Sequence, residues 1–213
     1  MDANELISRL HWLGHDSFRL DGPPVIYFDP WRLTGDLPVA DLILVSHAHD
    51  DHCSPDDIEK IRGPATVIIA DAGAAERLTG AQVVGPGDRL GVAGVDVEAV
   101  PAYNLNKFRS PGVPFHPKAA RNVGYVVTIE GVRIYHAGDS DHTPEMSDID
   151  CDVALLPVSG TYVMTVEEAV EAAKALEPCI VVPMHFGSGI GTATDGHRFR
   201  ELYAGDVVVL EAE

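Results

Sequence analysis

The sequence predicts an α+β protein, rich in strands in both halves, with each half closing on helix. Three observations carry that expectation. Short apolar or alternating runs recur along the whole chain, helix-capping signals open only a few segments, and no short repeat or low-complexity linker divides the 213 residues. That length suits one domain spanning 1–213, or two half-domains sharing a core.

Strand-like runs open the chain at Ile7–Leu13, Ser17–Leu20, Val25–Phe28 and Leu42–Ser46. Ser54 then stands as an N-cap before Pro55 and starts a helix toward Ile61. Ala65–Ala70 reads as a strand, and Asp71 to Leu78 as a short helix ended near Gly80. Further strands are expected at Val95–Val100, Val123–Ile129, Val132–His136 and Val153–Pro157. Thr165 and Glu168 form a capping box, followed by an apolar stripe of Val166, Ala169, Val170, Ala173 and Leu176. Strand Ile180–Met184, helix Asp195–Tyr203 and strand Val207–Leu210 complete the order. The longest irregular stretch, Ala102 to Asn122, holds Lys107, Arg109, Lys118 and Arg121. A loop of that length in a compact domain is commonly functional, and its basic residues could bind an anionic group or simply be solvated.

Composition excludes several classes. No apolar run is long enough to span a bilayer, and the start Met1-Asp2-Ala3-Asn4-Glu5 lacks a signal peptide's basic and apolar regions. A cytoplasmic protein without a membrane partner is expected. Cys53, Cys151 and Cys179 form no CxxC pair, so no disulfide framework is expected, and Cys53 reads as a packing residue. A formal net charge of −18 repels phosphate backbones, so nucleic acid is not an expected partner. A homo-oligomer stays open.

The chemistry concentrates after the run Leu42–Val45, in Ser46-His47-Ala48-His49-Asp50-Asp51-His52. This density of imidazoles and carboxylates is too polar for a core and too uniform in donor type for an arbitrary surface turn. Such donors suit zinc, iron or manganese. His47 and His49, two residues apart, can face one ion, while Asp51 and His52 can turn toward a second beside it.

This run matches the HxHxDH signature of the metallo-β-lactamase superfamily. Other segments resemble the branch that includes L-ascorbate-6-phosphate lactonases. Trp12-Leu13-Gly14-His15-Asp16-Ser17-Phe18 resembles its WLGHSSF strand, and Phe28-Asp29-Pro30 its DP turn. Tyr135-His136-Ala137-Gly138-Asp139-Ser140 is similar to its GDT motif, and Pro183-Met184-His185-Phe186-Gly187 to its P-M-H motif. The resemblance covers nearly the whole chain. It implies a four-layer αβ/βα sandwich of two mixed β-sheets flanked by helices. It also implies two divalent metal ions, zinc foremost with manganese or iron as alternatives, bridged by Asp139 and completed at the second position by His185.

One position departs from the pattern. Where a P-A-x-H motif would supply a His, the chain has Pro101-Ala102-Tyr103-Asn104. The AYN…FHPK…GYV arrangement resembles a sub-branch of uncharacterised hydrolases, and His116 in Phe115-His116-Pro117-Lys118 is the nearest substitute, as a ligand or as a substrate contact. The expected metal set is therefore His47, His49, Asp51, His52, His116, Asp139 and His185. Asp51 and His116 are the catalytic candidates, the first orienting a nucleophilic hydroxide and the second protonating a leaving group. His15, Asp29, Asn104, Lys118, His136 and Tyr162 are expected beside the site, touching substrate or orienting a ligand. His11, His142 and His197 carry no signal.

The implied activity is hydrolysis of an ester, lactone or phosphodiester in a small anionic substrate by metal-activated hydroxide. His49 argues against the redox members, which carry Glu there. The alternative is a metal- or ligand-binding sensor without turnover, to which Asn104 lends weight.

Overall fold

The computed structural model describes residues 1–187 and 189–213. Its first sheet runs β1 (Leu10–Gly14), β2 (Ser17–Leu20), β3 (Ile26–Phe28), β4 (Ala40–Val45), β5 (Arg62–Ala70) and β6 (Gln82–Val83), in that spatial order. β1, β2 and β3 pair antiparallel, and β3 through β6 pair parallel. The second sheet comprises β7 (Arg89–Val92), β8 (Val95–Pro101), β11 (Val123–Ile129), β12 (Val132–His136), β13 (Val153–Pro157), β14 (Ile180–Met184) and β15 (Asp206–Val207). Its spatial order is β15-β14-β13-β12-β11-β8-β7, parallel from β15 to β12 and antiparallel beyond. A separate hairpin pairs β9 (Phe108–Ser110) with β10 (Val113–Pro114).

Alternation along the strands builds the layers. Phe18, Phe28, Leu42 and Leu44 point from the first sheet into a core shared with Val97, Tyr125, Val127 and Ile134 of the second. The opposite face of the first sheet, with Tyr27, Ile43, Val45 and Ile68, packs under Ile58 and Ile61 of α2 (Pro55–Ile61) and Ala74 of α3 (Ala72–Ala75). On the far side, α4 (Val166–Leu176) and α5 (Asp195–Leu202) bring Val166, Ala169, Val170, Ala173 and Phe199 against the second sheet. The result is the expected four-layer sandwich of two mixed sheets. Among the described residues, no helix is long and apolar enough to cross a membrane.

Strands β11 to β14 fall where periodicity places them, and Ser54 and Thr165 cap α2 and α4 as read. Four expectations change. Of the expected strand Ile7–Leu13, Ile7 instead ends a helix α1 (Ala3–Ile7), and Ser8 and Arg9 form the turn after it, because Asp2 and Glu5 form a reciprocal capping box at 2.9 Å each way. The helix after Asp71 is a single turn, and the last strand ends at Val207. The stretch Ala102 to Asn122 is not wholly irregular, since it contains the β9–β10 hairpin and a 3₁₀ turn, Lys118–Ala120.

Candidate metal centre

The chemistry-bearing side chains gather along one edge of the sandwich, where β3, β4, β12, β13 and β14 end and the β1–β2 turn closes over them. The loops there are tightly set. His15, Asp29 and His185 adopt left-handed backbone conformations, with φ of 54°, 40° and 56°. Each costs a non-glycine residue roughly 1–2 kcal/mol, and such strain tends to collect at functional sites. Gly138, at φ 59°, lets the β12 loop approach β4: a Cβ there would lie 3.0 Å from the Ser46 Cβ.

Two donor clusters form, each with its ligating atoms within 4.8 Å of one another. One contains His47, His49, His116 and Asp139; the other contains His15, Asp16, His52 and His185. In the first, His47 Nε2 lies 3.0 Å from His49 Nδ1, which lies 3.1 Å from His116 Nε2. Asp139 Oδ2 is 3.3 Å from His116 Nε2 and 3.9 Å from His47 Nε2. Donors held about 2.0–2.1 Å from a tetrahedral zinc sit roughly 3.3–3.4 Å from each other, so this spacing fits an ion at the centre. Asp139 also faces the second cluster, its Oδ1 3.3 Å from both His52 Nε2 and His185 Nε2.

Hydrogen bonding sets the tautomers that ligation requires. Ser46 Oγ donates to Asp29 Oδ2 (2.6 Å) and therefore accepts from His47 Nδ1 (3.0 Å). His52 Nδ1 donates to Asp29 Oδ2 at 2.8 Å, and His116 Nδ1 donates to Asn104 Oδ1 at 2.9 Å. Ser159 Oγ donates to the Thr161 carbonyl and accepts from His185 Nδ1 at 2.9 Å. In every case Nδ1 carries a proton, which leaves Nε2 facing inward. Among the described residues, buried Asp16 Oδ1 and Oδ2, His52 Nε2, Asp139 Oδ1 and His185 Nε2 have no hydrogen-bond partner. Orphaned buried donors and acceptors are rare and costly, and these converge on one point. The residues fit a metal ion.

Electrostatics agree with that fit. Burial pushes His47 well below its usual value, lowers His49 and takes His116 down to about 4, leaving neutral imidazoles. Burial also opposes charge on His52 and His185, but Asp139 outweighs it, aided by Asp29 at His52 and Asp16 at His185; His52 rises well above its usual value and His185 to about 8. The second cluster thus draws positive charge into itself, which a cation would supply.

Asn104 does not enter the cluster. Besides holding the His116 ring, its Oδ1 accepts from His116 N, and its Nδ2 donates to the Tyr162 carbonyl at 2.8 Å. Asn104 is what aims His116 inward. His116 turns its Nε2 toward His49 and Asp139, at 3.1 and 3.3 Å. Asp51 stands at the rim, with Oδ1 4.0 Å from His52 Nε2 and Oδ2 3.2 Å from His15 Nε2. Asp29 and His136 stand beside the clusters: Asp29 Oδ2 accepts from His52 Nδ1, and His136 Nε2 donates to the Asp16 carbonyl at 2.8 Å. Lys118 does not join them: it pairs with Glu145 at 2.5 Å on the surface. His11 pairs with Asp21 and Glu213, away from the site. Ser46, Ser159 and Asp16 went unremarked in the sequence. Ser46 could have been found from its place directly before the motif, whereas a lone Ser such as Ser159 carries no signal.

A cavity of about 360 Å³ opens over the first cluster, lined by His49, Asp51, Arg109, Phe115, His116, Asp139 and Tyr162. Tyr162 and Phe115 meet edge to face, ring centroids 4.6 Å apart. A hollow of similar volume, about 370 Å³, lies over β7, β8, β11 and β12, but its Arg89 and Arg133 both pair with Glu98, and among the described residues no metal-ligating set converges there.

A four-layer sandwich with a histidine–aspartate centre at the end of β4 defines the metal-dependent hydrolase class of this fold. The family model for the beta-lactamase superfamily domain matches residues 9–185, and the chain belongs to that superfamily. It is 36% identical over 224 residues to a UPF0173 metal-dependent hydrolase of Pyrococcus abyssi, covering 95% of this chain and 96% of that protein. The corresponding Thermoplasma acidophilum hydrolase is 35% identical over 212 residues, covering 91% and 90%. Among solved structures, a Parabacteroides distasonis protein superposes with a TM-score of 0.84 at 34% identity, covering 96% of this chain and 93% of that one. Igni18, a novel metallo hydrolase from Ignicoccus hospitalis, superposes with a TM-score of 0.76 at 26% identity, covering 95% and 94%.

Proposed function

We propose that this metal-dependent hydrolase cleaves an ester, lactone or phosphodiester bond in a small anionic substrate, with two divalent ions held side by side. The observation that carries the reading is Asp139, whose two oxygens face two separate donor clusters 3.3 Å away on either side. His47, His49, His116 and Asp139 would hold one ion, for which a nitrogen-rich set suits zinc. His52, His185 and Asp139 would hold the other. Bound there, such ions act as Lewis acids and lower the pKa of water toward about 7.

The chain's own residues do the rest. Burial raises the Asp51 carboxyl, but the His15 hydrogen bond and the charge of His52 outweigh it, so Asp51 stays ionised well below the usual carboxylate range. It faces the cavity as an acceptor that orients an attacking water. Among the described residues, Arg109 is the one Lys or Arg lining that cavity. Of the other basic residues in its loop, Lys107 is paired with Glu168 and Lys118 with Glu145. Arg109 therefore recognises the substrate's negative charge, and Phe115 and Tyr162 shield the reacting bond from bulk water.

The test is a panel of a neutral ester, a carboxylated lactone and bis(p-nitrophenyl) phosphate. Arg109→Ala should raise KM for the anionic substrates roughly 10-fold or more, the worth of one charge-assisted hydrogen bond, while sparing the neutral ester. Equal effects on all three would remove the anionic assignment, and no turnover of any by metal-loaded wild type would remove the hydrolytic one. The sensor reading rested on Asn104 as a defective ligand, and the position of His116 takes that support away.

A further inference from the structure

We propose that Asp16 is an additional ligand of the buried cluster, making it a metal site richer in oxygen and higher in coordination than its neighbour, suited to a hard divalent ion such as Mn(II) or Fe(II). This rests on the two-ion reading above and adds a residue that the HxHxDH pattern and its partner motifs do not supply. In the strand that Trp12–Phe18 resembles, a Ser occupies this position.

Asp16 is fully buried, and among the described residues neither of its oxygens has a hydrogen-bond partner. A buried carboxylate in that condition costs several kcal/mol unless a cation compensates it. Its Oδ2 lies 3.5 Å from His52 Nε2, itself an orphan, and its ligating atom falls within 4.8 Å of those of His15, His52 and His185. The charged or titratable groups that act on it most strongly are His185, His52, Asp139 and Asp29.

The turn that presents Asp16 is built rather than loose. Gly14 and His15 take left-handed conformations. The His15 carbonyl accepts from Trp12 Nε1 at 2.8 Å and from His185 N at 3.1 Å, while the Asp16 carbonyl accepts from His136 Nε2 at 2.8 Å. Three elements, β1, β12 and β14, thus pin the backbone that aims this carboxylate. Such fixed support is what a ligand needs.

The two clusters then differ in kind. The open one pairs three imidazoles with a single Asp139 oxygen. The buried one is faced by Asp16 and Asp139 Oδ1 as well as by imidazoles, with Asp51 at its rim. Carboxylate oxygens and high coordination number favour manganese or ferrous iron relative to zinc, which is content with four ligands.

The experiment titrates the full chain, freed of metal by dialysis, with Mn(II) alone and with Zn(II) alone. It counts equivalents by calorimetry and follows bound Mn(II) by its paramagnetic resonance. Wild type is expected to take two equivalents. Asp16→Asn and Asp16→Ser should keep the first and weaken the second by 10-fold or more, with the larger loss for Mn(II). A folded variant that binds its second Mn(II) as wild type does overturns the inference. A wild type that takes no second equivalent of either ion overturns the two-ion reading as well. Thermal unfolding gives an independent readout. Asp16→Asn should raise the midpoint of the metal-free chain and shrink the rise that Mn(II) produces; an undiminished rise counts against Asp16 as a ligand.

Discussion

The open cluster and the buried cluster are built from the same residue types but stand in opposite relations to solvent. His49 of the first is exposed and borders the cavity, whereas His15, Asp16, His52 and His185 of the second are all buried. In the open cluster the ring nitrogens meet one another and the cavity. In the buried cluster His52 Nε2, His185 Nε2 and both Asp16 oxygens make no hydrogen bond among the described residues. The difference separates access from charge: the first borders the cavity, while the second holds its groups in a medium where unpaired charge is costly and a cation is strongly favoured.

The largest test of that contrast is the shared residue. Asp139→Ala should lower activity at least a thousandfold, on the order of 4 kcal/mol, and reduce bound metal at both positions. Metal analysis showing one position untouched would mean that Asp139 serves a single cluster.

A smaller effect distinguishes the clusters by their supports. Asn104→Ala frees the His116 ring and should weaken the ion of the open cluster about 10- to 100-fold, whereas Ser159→Ala frees His185 and should do the same to the buried one. Calorimetric titration in which both variants weaken the same equivalent would break the division.

The smallest effect comes from a buried carboxylate outside both clusters. Asp71 caps α3, with Oδ1 accepting from Ala74 N at 2.7 Å, yet burial raises its carboxyl to about 6. A raised acid binds its proton more tightly in the folded state, so its stability contribution is present near pH 4 and is lost as pH rises through 6. Asp71→Asn, which keeps a capping oxygen, should therefore stabilise the protein above pH 6 by up to roughly 3 kcal/mol and do nothing near pH 4. Metal content should not change. Unfolding midpoints measured at pH 4 and pH 8 check the sign.

Much of this was legible beforehand. Period-2 runs located β11 to β14, and cap residues located α2 and α4, because those signals are local. The Asp2–Glu5 box shows the limit: it is equally local, but an apolar run beginning at Ile7 masked it. The HxHxDH motif revealed metal chemistry, since so many imidazoles and carboxylates in one turn admit few other uses. The basic loop was legible as a feature and not as an arrangement. Arg109 and Lys118 look alike in sequence, and only folding sends one to the cavity and the other to Glu145.

By itself, then, the sequence determined the donor types, the strand and helix pattern and the superfamily, all of which are written in short-range spacing. The tertiary structure alone decided how the donors divide: Asp139 between two clusters, His116 inside and Asn104 behind it, Asp16 aimed inward and Asp51 at the rim. The physical reason is that each cluster joins residues from distant parts of the chain. Whether a carboxylate is a ligand, a support or a surface charge depends on which neighbours remain to satisfy it once water has been excluded.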